Sequence, residues 1–174
     1  TYTMKYLILF LTGITSSLCY AFPDDIEKLV EKKVKDERNW VDNYYDFREK
    51  NFSEYYTSEN LNLDLDLFEA RMNASLQKTR VMVDKTIAEK SKDPKKRAEY
   101  KKIYAVSSEE LKELEKIRDE KVCPAIKFSF SYYVFLKANQ RFSNLSDIQN
   151  SRKKLEDQVS ENNYLPCIKE LAEL

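Results

Sequence analysis

The chain has 174 residues, with 30 Lys and Arg against 30 Asp and Glu, no His, one Gly, four Pro and three Cys. Without His the usual general base, zinc ligand and haem ligand are missing together, which excludes Ser-His-Asp and Cys-His hydrolases. The one glycine is Gly13, so phosphate-cradling loops, dinucleotide fingerprints, nucleophile elbows and ordinary EF-hands, which need a residue without a Cβ, are excluded as well.

Met4 and Lys5 lead into an apolar run from Tyr6 to Leu18, followed by Cys19, Tyr20 and Ala21. Small residues at the two positions a signal peptidase inspects predict a secretory signal cleaved after Ala21, with Thr1 to Thr3 preceding the start methionine. The run is shorter than the ~20 residues a membrane-spanning helix needs, and no second run of that length follows. The expected mature chain, 22–174, is one exported domain of a size that suits a single core. Cleavage removes Cys19 and leaves Cys123 and Cys167 for an oxidising compartment, where a disulfide is the expected state. It closes a loop of 44 residues, a constraint that chain-entropy reasoning values at roughly 4 kcal/mol. Two thiolates without His rarely complete a tetrahedral shell, and the pair is not Cys-x-x-Cys, so no metal, cofactor or redox role is expected. Export also gives meaning to the Asn-x-Ser sequons at Asn51, Asn73 and Asn144, of which one or two are expected to carry a glycan.

The first predicted helix opens at Pro23-Asp24-Asp25-Ile26-Glu27, an Asp cap with Glu three residues later. Ile26, Leu29, Val30, Val34, Val41, Tyr44 and Tyr45 recur at helical steps, so it runs to about Lys50. A second spans Leu61 to Lys90, with Leu61, Leu65, Phe68, Met72, Leu76, Val83 and Ile87 as its apolar stripe; the short period-two alternation at its start is overruled by the length of the helical spacing. Asp93-Pro94 caps and opens a third, carrying Tyr100, Ile103 and Tyr104. Ser107-Ser108-Glu109-Glu110 has the form of a capping box that starts a new helix or marks a kink. Pro124 is expected to break that run and open a helix to about Phe142. Ser146 caps the next, bearing Ile148, Leu155 and Val159, and Pro166 opens a short last one. With every proline at a predicted helix start and no glycine for tight hairpins, the fold class is all-α, a single helical bundle of five to seven helices with one disulfide.

Aromatic residues crowd into Trp40 to Phe47, Phe52 to Tyr56 and Phe128 to Phe135. Rings in the last segment point in nearly every direction around a helix, so most of them fill a core. Those that reach the surface, with Trp40, Tyr44, Tyr45, Tyr132 and Tyr133 as candidates, suit protein binding, where Tyr and Trp often supply the anchors. Lys95, Lys96 and Arg97 form the centre of a basic run from Glu89 to Lys102 and suit a polyanion or an acidic surface. Bases in a helix's first turn oppose the helix dipole, whereas the bland reading of the run is a solvated loop and helix start. Carboxylates such as Asp64 with Asp66, or Glu109, Glu110 and Glu113, fall on polar helix faces among lysines rather than in a cleft. The Asn60-to-Asp66 alternation lacks the glycine and the twelfth-position Glu of a calcium loop.

These readings predict a secreted, non-enzymatic helical glycoprotein of effector or inhibitor type that binds an extracellular protein or polyanion through aromatic and basic side chains. The alternative is a carrier that encloses a small apolar ligand between helices. No nucleic-acid module is recognisable. In composition the chain resembles small secreted proteins of invertebrate saliva, venom or haemolymph, a likeness that carries over no residue.

Overall fold

Asn43 decides where the second helix begins. Its Oδ1 accepts from the backbone N–H groups of Tyr45 and Asp46 at 2.9 and 3.0 Å, and its Nδ2 donates to the Asp46 carboxylate at 2.8 Å. That satisfies two of the free N–H groups a helix start leaves. The computed structural model describes residues 22–38 and 41–174. The expected signal segment, 1–21, and Trp40 lie outside the described residues. In chain order α1 is Asp24–Glu37, α2 Tyr44–Lys50 with a π turn Asn51–Tyr55 continuing it, α3 Ser58–Lys90, α4 Pro94–Ala138 and α5 Leu145–Glu161; a 3-10 turn Leu165–Cys167 then leads into α6, Ile168–Glu173. Among the described residues there is no strand, and the fold is the all-α bundle that the periodicity predicts.

The expected helix from Asp24 to Lys50 is thus two helices, because the Asn43 cap restarts the chain after α1 has ended. A helix start at Ser107-Ser108 and a break at Pro124 both give way inside α4, which is continuous over 45 residues. Ser107 and Ser108 do not start a helix: both hydroxyls donate back to the Tyr104 carbonyl, at 3.3 and 2.6 Å, and so are absorbed into the helix interior. Pro124 does not break it. Its missing N–H deprives the carbonyl of Glu120, an exposed residue, of its helical partner, and the residues around it are held from outside. Val122, Ala125 and Ile126 are buried in the core, and Cys123 is bonded to Cys167 with a Cα–Cα distance of 5.3 Å. Asp93 behaves as the sequence predicts, accepting from Lys95 N–H at 2.9 Å with Pro94 opening the helix.

The main core gathers around the second half of α4. Ile26, Val30 and Val34 of α1, Leu155 and Val159 of α5, and Leu171 of α6 close on Val122, Ile126, Phe130, Tyr133 and Val134. Each such apolar side chain, fully buried, contributes roughly 1.5–3 kcal/mol to the driving force. α4's buried residues, apart from Ser107, all lie between Val122 and Ala138, so its first half leaves the bundle with α3 alone. There the two helices run antiparallel, as the contacts Lys121–Asp66, Gln77–Ser107 and Arg80–Glu110 show.

The seam between them is not the stripe the sequence suggests. Leu67, Ala70, Ala74, Asp84 and Ala88 of α3 are buried, at steps of three and four or their sums. Leu61, Leu65, Phe68, Met72, Leu76 and Val83 are 45% to 64% exposed. At about 100° per residue the two rows lie on nearly opposite sides of the helix. Small side chains let the backbones of α3 and α4 approach closely, which bulky ones at the same positions would prevent.

Candidate functional site

The aromatic segments that the sequence singles out come together at one end of the molecule. Ring contacts pass without a break from Tyr45 to Tyr44, Phe142, Phe47, Phe135, Tyr55, Tyr132, Tyr56 and Phe52, with successive centroids 5.0 to 6.3 Å apart. This is the range in which aromatic pairs attract, at about 0.5–1.5 kcal/mol per pair beyond area burial. The middle of the path is buried: Phe47 and Phe135 stack in parallel at 5.1 Å and form a second core cluster with Val41 and Leu136. Both ends emerge. Tyr45 is 81% exposed, and Phe52, Tyr44 and Tyr56 are exposed as well.

Local structure sets this arrangement. The Asn43 cap orients α2 so that Phe47 points inward while Tyr44 and Tyr45 stay outside. The π turn then adds a residue to the helical step and carries Tyr55 inward beside Phe52 and Tyr56. Tyr55 donates its hydroxyl to the Ser131 carbonyl at 3.3 Å. Burial, and then the carboxylates of Glu54 and Glu37, push its phenol well above the ordinary range. Tyr132 is shifted the same way, by burial first and then by its hydroxyl contact with Tyr56 at 3.0 Å. Both phenols therefore stay neutral over the physiological range. Cations cover the flanks: Arg48 lies 5.8 Å above the Tyr44 ring and Arg141 4.6 Å above Phe142, while Arg141 also donates to the Val41 carbonyl.

Among the sequence candidates, Tyr44, Tyr45 and Tyr132 join this patch. Tyr133 does not: it is 3% exposed and belongs to the main core, because one residue of helix turns the side chain about 100° away from Tyr132. Lys95, Lys96 and Arg97 are exposed at the opposite end, in the first turn of α4. Thirty-five residues of helix separate Arg97 from Tyr132, roughly 50 Å at 1.5 Å per residue. The aromatic and basic candidates are two surfaces rather than one. Phe52, Tyr56 and Arg141 complete the patch without having been candidates, and the π turn that exposes the first two has no sequence signature that periodicity detects.

Several of the candidate carboxylates are engaged by neighbouring side chains. Asp64 contacts Gln158 and Lys154, Asp66 contacts Lys121, and Glu110 meets Gln77 and Arg80. Among the described residues no group of three or more His, Cys, Asp or Glu is placed to hold a metal ion, and no helix is long and apolar enough to cross a membrane. A cleft of about 450 Å³ lies beside the rings, floored by Phe128, Val134 and Phe135 and rimmed by Lys33, Glu37, Lys50 and Glu54. A larger groove of about 690 Å³ between α3, α4 and the last turns is lined mostly by polar and charged side chains, among them Arg71, Lys78, Glu115 and Arg118. The sequon residues Asn73 and Asn144 are exposed, whereas Asn51 is half-buried in the π turn with its Oδ1 shut off from solvent. No family model, curated protein or solved structure matches the chain.

Proposed function

We propose that the chain is a secreted, glycosylated, non-enzymatic protein that binds an extracellular protein through the exposed ends of the ring path, Tyr44 and Tyr45 on one side and Phe52 and Tyr56 on the other. The observation that carries this reading is their rigid backing. Exposed rings on a mobile loop lose rotamer freedom on binding, but these are joined through Phe142 on one side and through Tyr132 and Tyr55 on the other to Phe47 and Phe135, which are stacked and buried, so less order remains to be imposed. Large amphipathic rings flanked by arginine are the side chains that most often anchor protein interfaces. The disulfide supports an oxidising compartment. A carrier needs an enclosed apolar room between helices, whereas the cleft beside the rings is rimmed by Lys33, Glu37, Lys50 and Glu54, and Phe47, Phe135 and Tyr55 next to it pack ring against ring. The basic run is a separate surface and has no part in this reading.

The test is capture from extracellular fluid by the immobilised secreted protein and by two variants. Replacing Tyr45, Phe52 and Tyr56 together by Ser should abolish capture of a specific protein while leaving the helicity unchanged and the melting temperature only modestly lowered, since three ring pairs at the ends of the path are lost. Replacing Lys95, Lys96 and Arg97 by Gln should leave capture intact. Retained capture by the first variant overturns the reading, as does a rise in melting temperature with fatty acids, sterols or amines, which only a carrier would show.

A further inference from the structure

The outward face of α3 is spaced symmetrically about its own middle. From Leu61 the exposed stripe steps by four, three and four residues to Met72, and from Met72 by four, three and four through Leu76 and Thr79 to Val83. We infer that this face is the interface of a symmetric dimer, in which a second copy of the chain lies antiparallel along α3 with the two-fold axis at Met72. That axis sets Leu61 against Val83 of the second copy, Leu65 against Thr79, Phe68 against Leu76, and Met72 against itself. A two-fold interface must present the same patch twice, and steps of three and four are those with which two helices interlock side by side.

Charge selects the antiparallel sense. From Glu59 to Glu69 α3 carries acids and no base, whereas from Arg71 to Lys90 its bases outnumber Asp84 and Glu89. Ion pairs within the chain engage Asp64, Asp66, Arg71 and Arg80. Of the side chains that remain, Glu69 at one end and Lys90 at the other lie within about 60° of the row, while Glu59, Lys78 and Lys85 stand about 120° or more around the helix and act only through the field of the two ends. Antiparallel pairing sets the acidic end against the basic one, and parallel pairing stacks like on like.

The extent is also sufficient. The stripe is roughly 33 Å long at 1.5 Å per residue. Its side chains expose on the order of 100 Å² each, so with flanking contacts a copy approaches the about 800 Å² per partner of a standard interface. A solvent-facing apolar row of this length is otherwise a liability on a single chain. α5 is tied to one flank of α3 through Asp64 and Arg71 and leaves the row open. Asn73 is about 100° around the helix from Met72, so a glycan there stands at the rim.

Sedimentation equilibrium of the secreted protein tests the assignment. A dimer at micromolar concentration is expected, and a monomer throughout that range overturns it. Met72→Glu places two carboxylates face to face on the axis and should weaken the dimer at least tenfold with no change in helicity. Met72→Lys should do the same, and an equal mixture of the two variants should dimerise again. A dimer indifferent to Met72→Glu shows that another face is used and sinks the proposal. Direction is read by cysteine cross-linking: Leu61→Cys should link to Val83→Cys in a mixture and neither to itself, whereas self-linking of Leu61→Cys reveals parallel pairing and overturns the antiparallel assignment.

Discussion

Tyr55 and Ser131 are 76 residues apart in sequence, yet the tyrosine hydroxyl donates to the serine carbonyl at 3.3 Å and fastens the π turn to α4. That donor must keep its proton. Burial first, and then the nearby carboxylates of Glu54 and Glu37, raise the Tyr55 phenol above the ordinary value of 10.0, and burial with the Tyr56 contact raises Tyr132 likewise. A raised tyrosine means that the native state holds a proton which the unfolded chain releases near pH 10. The stabilisation is therefore fully present below about pH 10 and is lost as pH rises beyond it. Titration followed by tyrosinate absorbance should show late-ionising tyrosines, Tyr55 and Tyr132 among them, together with falling resistance to urea. One uniform transition near pH 10 without loss of stability contradicts this account.

The ring path divides into a part that holds the fold and a part that is free to bind. Phe135 is stacked on Phe47 and touches Tyr55 in the second core cluster. Phe135→Ala should cost about 3–5 kcal/mol, the range for emptying a buried aromatic site. Tyr45→Ser, at an exposed ring, should lie within about 0.5 kcal/mol of wild type. Urea unfolding followed by circular dichroism separates the two; equal effects would mean that the ends of the path are as structural as its centre.

How much of this was legible in the sequence depends on whether a signal is local. Asp93-Pro94, the six helices within a range of five to seven, and the Cys123–Cys167 bridge all follow from capping, periodicity and cysteine count. The facing of α3 does not, because a stripe of Leu, Phe and Met at helical spacing looks the same whether it meets its own chain or something else. The inward row is dominated by alanines, which leave no hydropathy peak to find. Tyr132 and Tyr133 pose the same difficulty, since only the neighbours that pack on α4 decide which ring is inside. The seam makes its own prediction: Ala74→Leu should destabilise by about 1–3 kcal/mol through overpacking. Leu76→Gln, on the exposed row, should change the monomer by less than about 0.5 kcal/mol. Thermal melts of both variants at high dilution give the comparison.

The bridge ties the end of the chain to the middle of α4. Cys167 is buried in the main core beside Leu171, so the bond closes a 44-residue loop and also holds the 3-10 turn and α6 over Val122. Cys123→Ser with Cys167→Ser should lower the unfolding free energy by about 2–4 kcal/mol. Hydrogen exchange in the double variant should quicken from Leu165 onward before it quickens in α1. Uniform quickening along the whole chain would show instead that α6 is integral to a single cooperative unit.

Pro124 is the position where local preference and tertiary packing disagree most. Proline inside a helix forfeits one backbone hydrogen bond and crowds the preceding turn, at a cost of about 3 kcal/mol in an isolated case. Here Ala125 and Ile126 are fully buried on its C-terminal side and Cys123 is fastened on the other, so the helix continues and the cost is carried by the fold. Pro124 itself is exposed, and its ring contributes little to the core. Pro124→Ala should therefore raise the unfolding free energy, by about 1–3 kcal/mol, as the N–H toward the Glu120 carbonyl is restored. The same change in the variant lacking Cys123 and Cys167 should gain more, because the tertiary bond no longer shares in holding α4 straight. Destabilisation by Pro124→Ala in the bridged protein would mean that the proline shapes a bend on which the core depends.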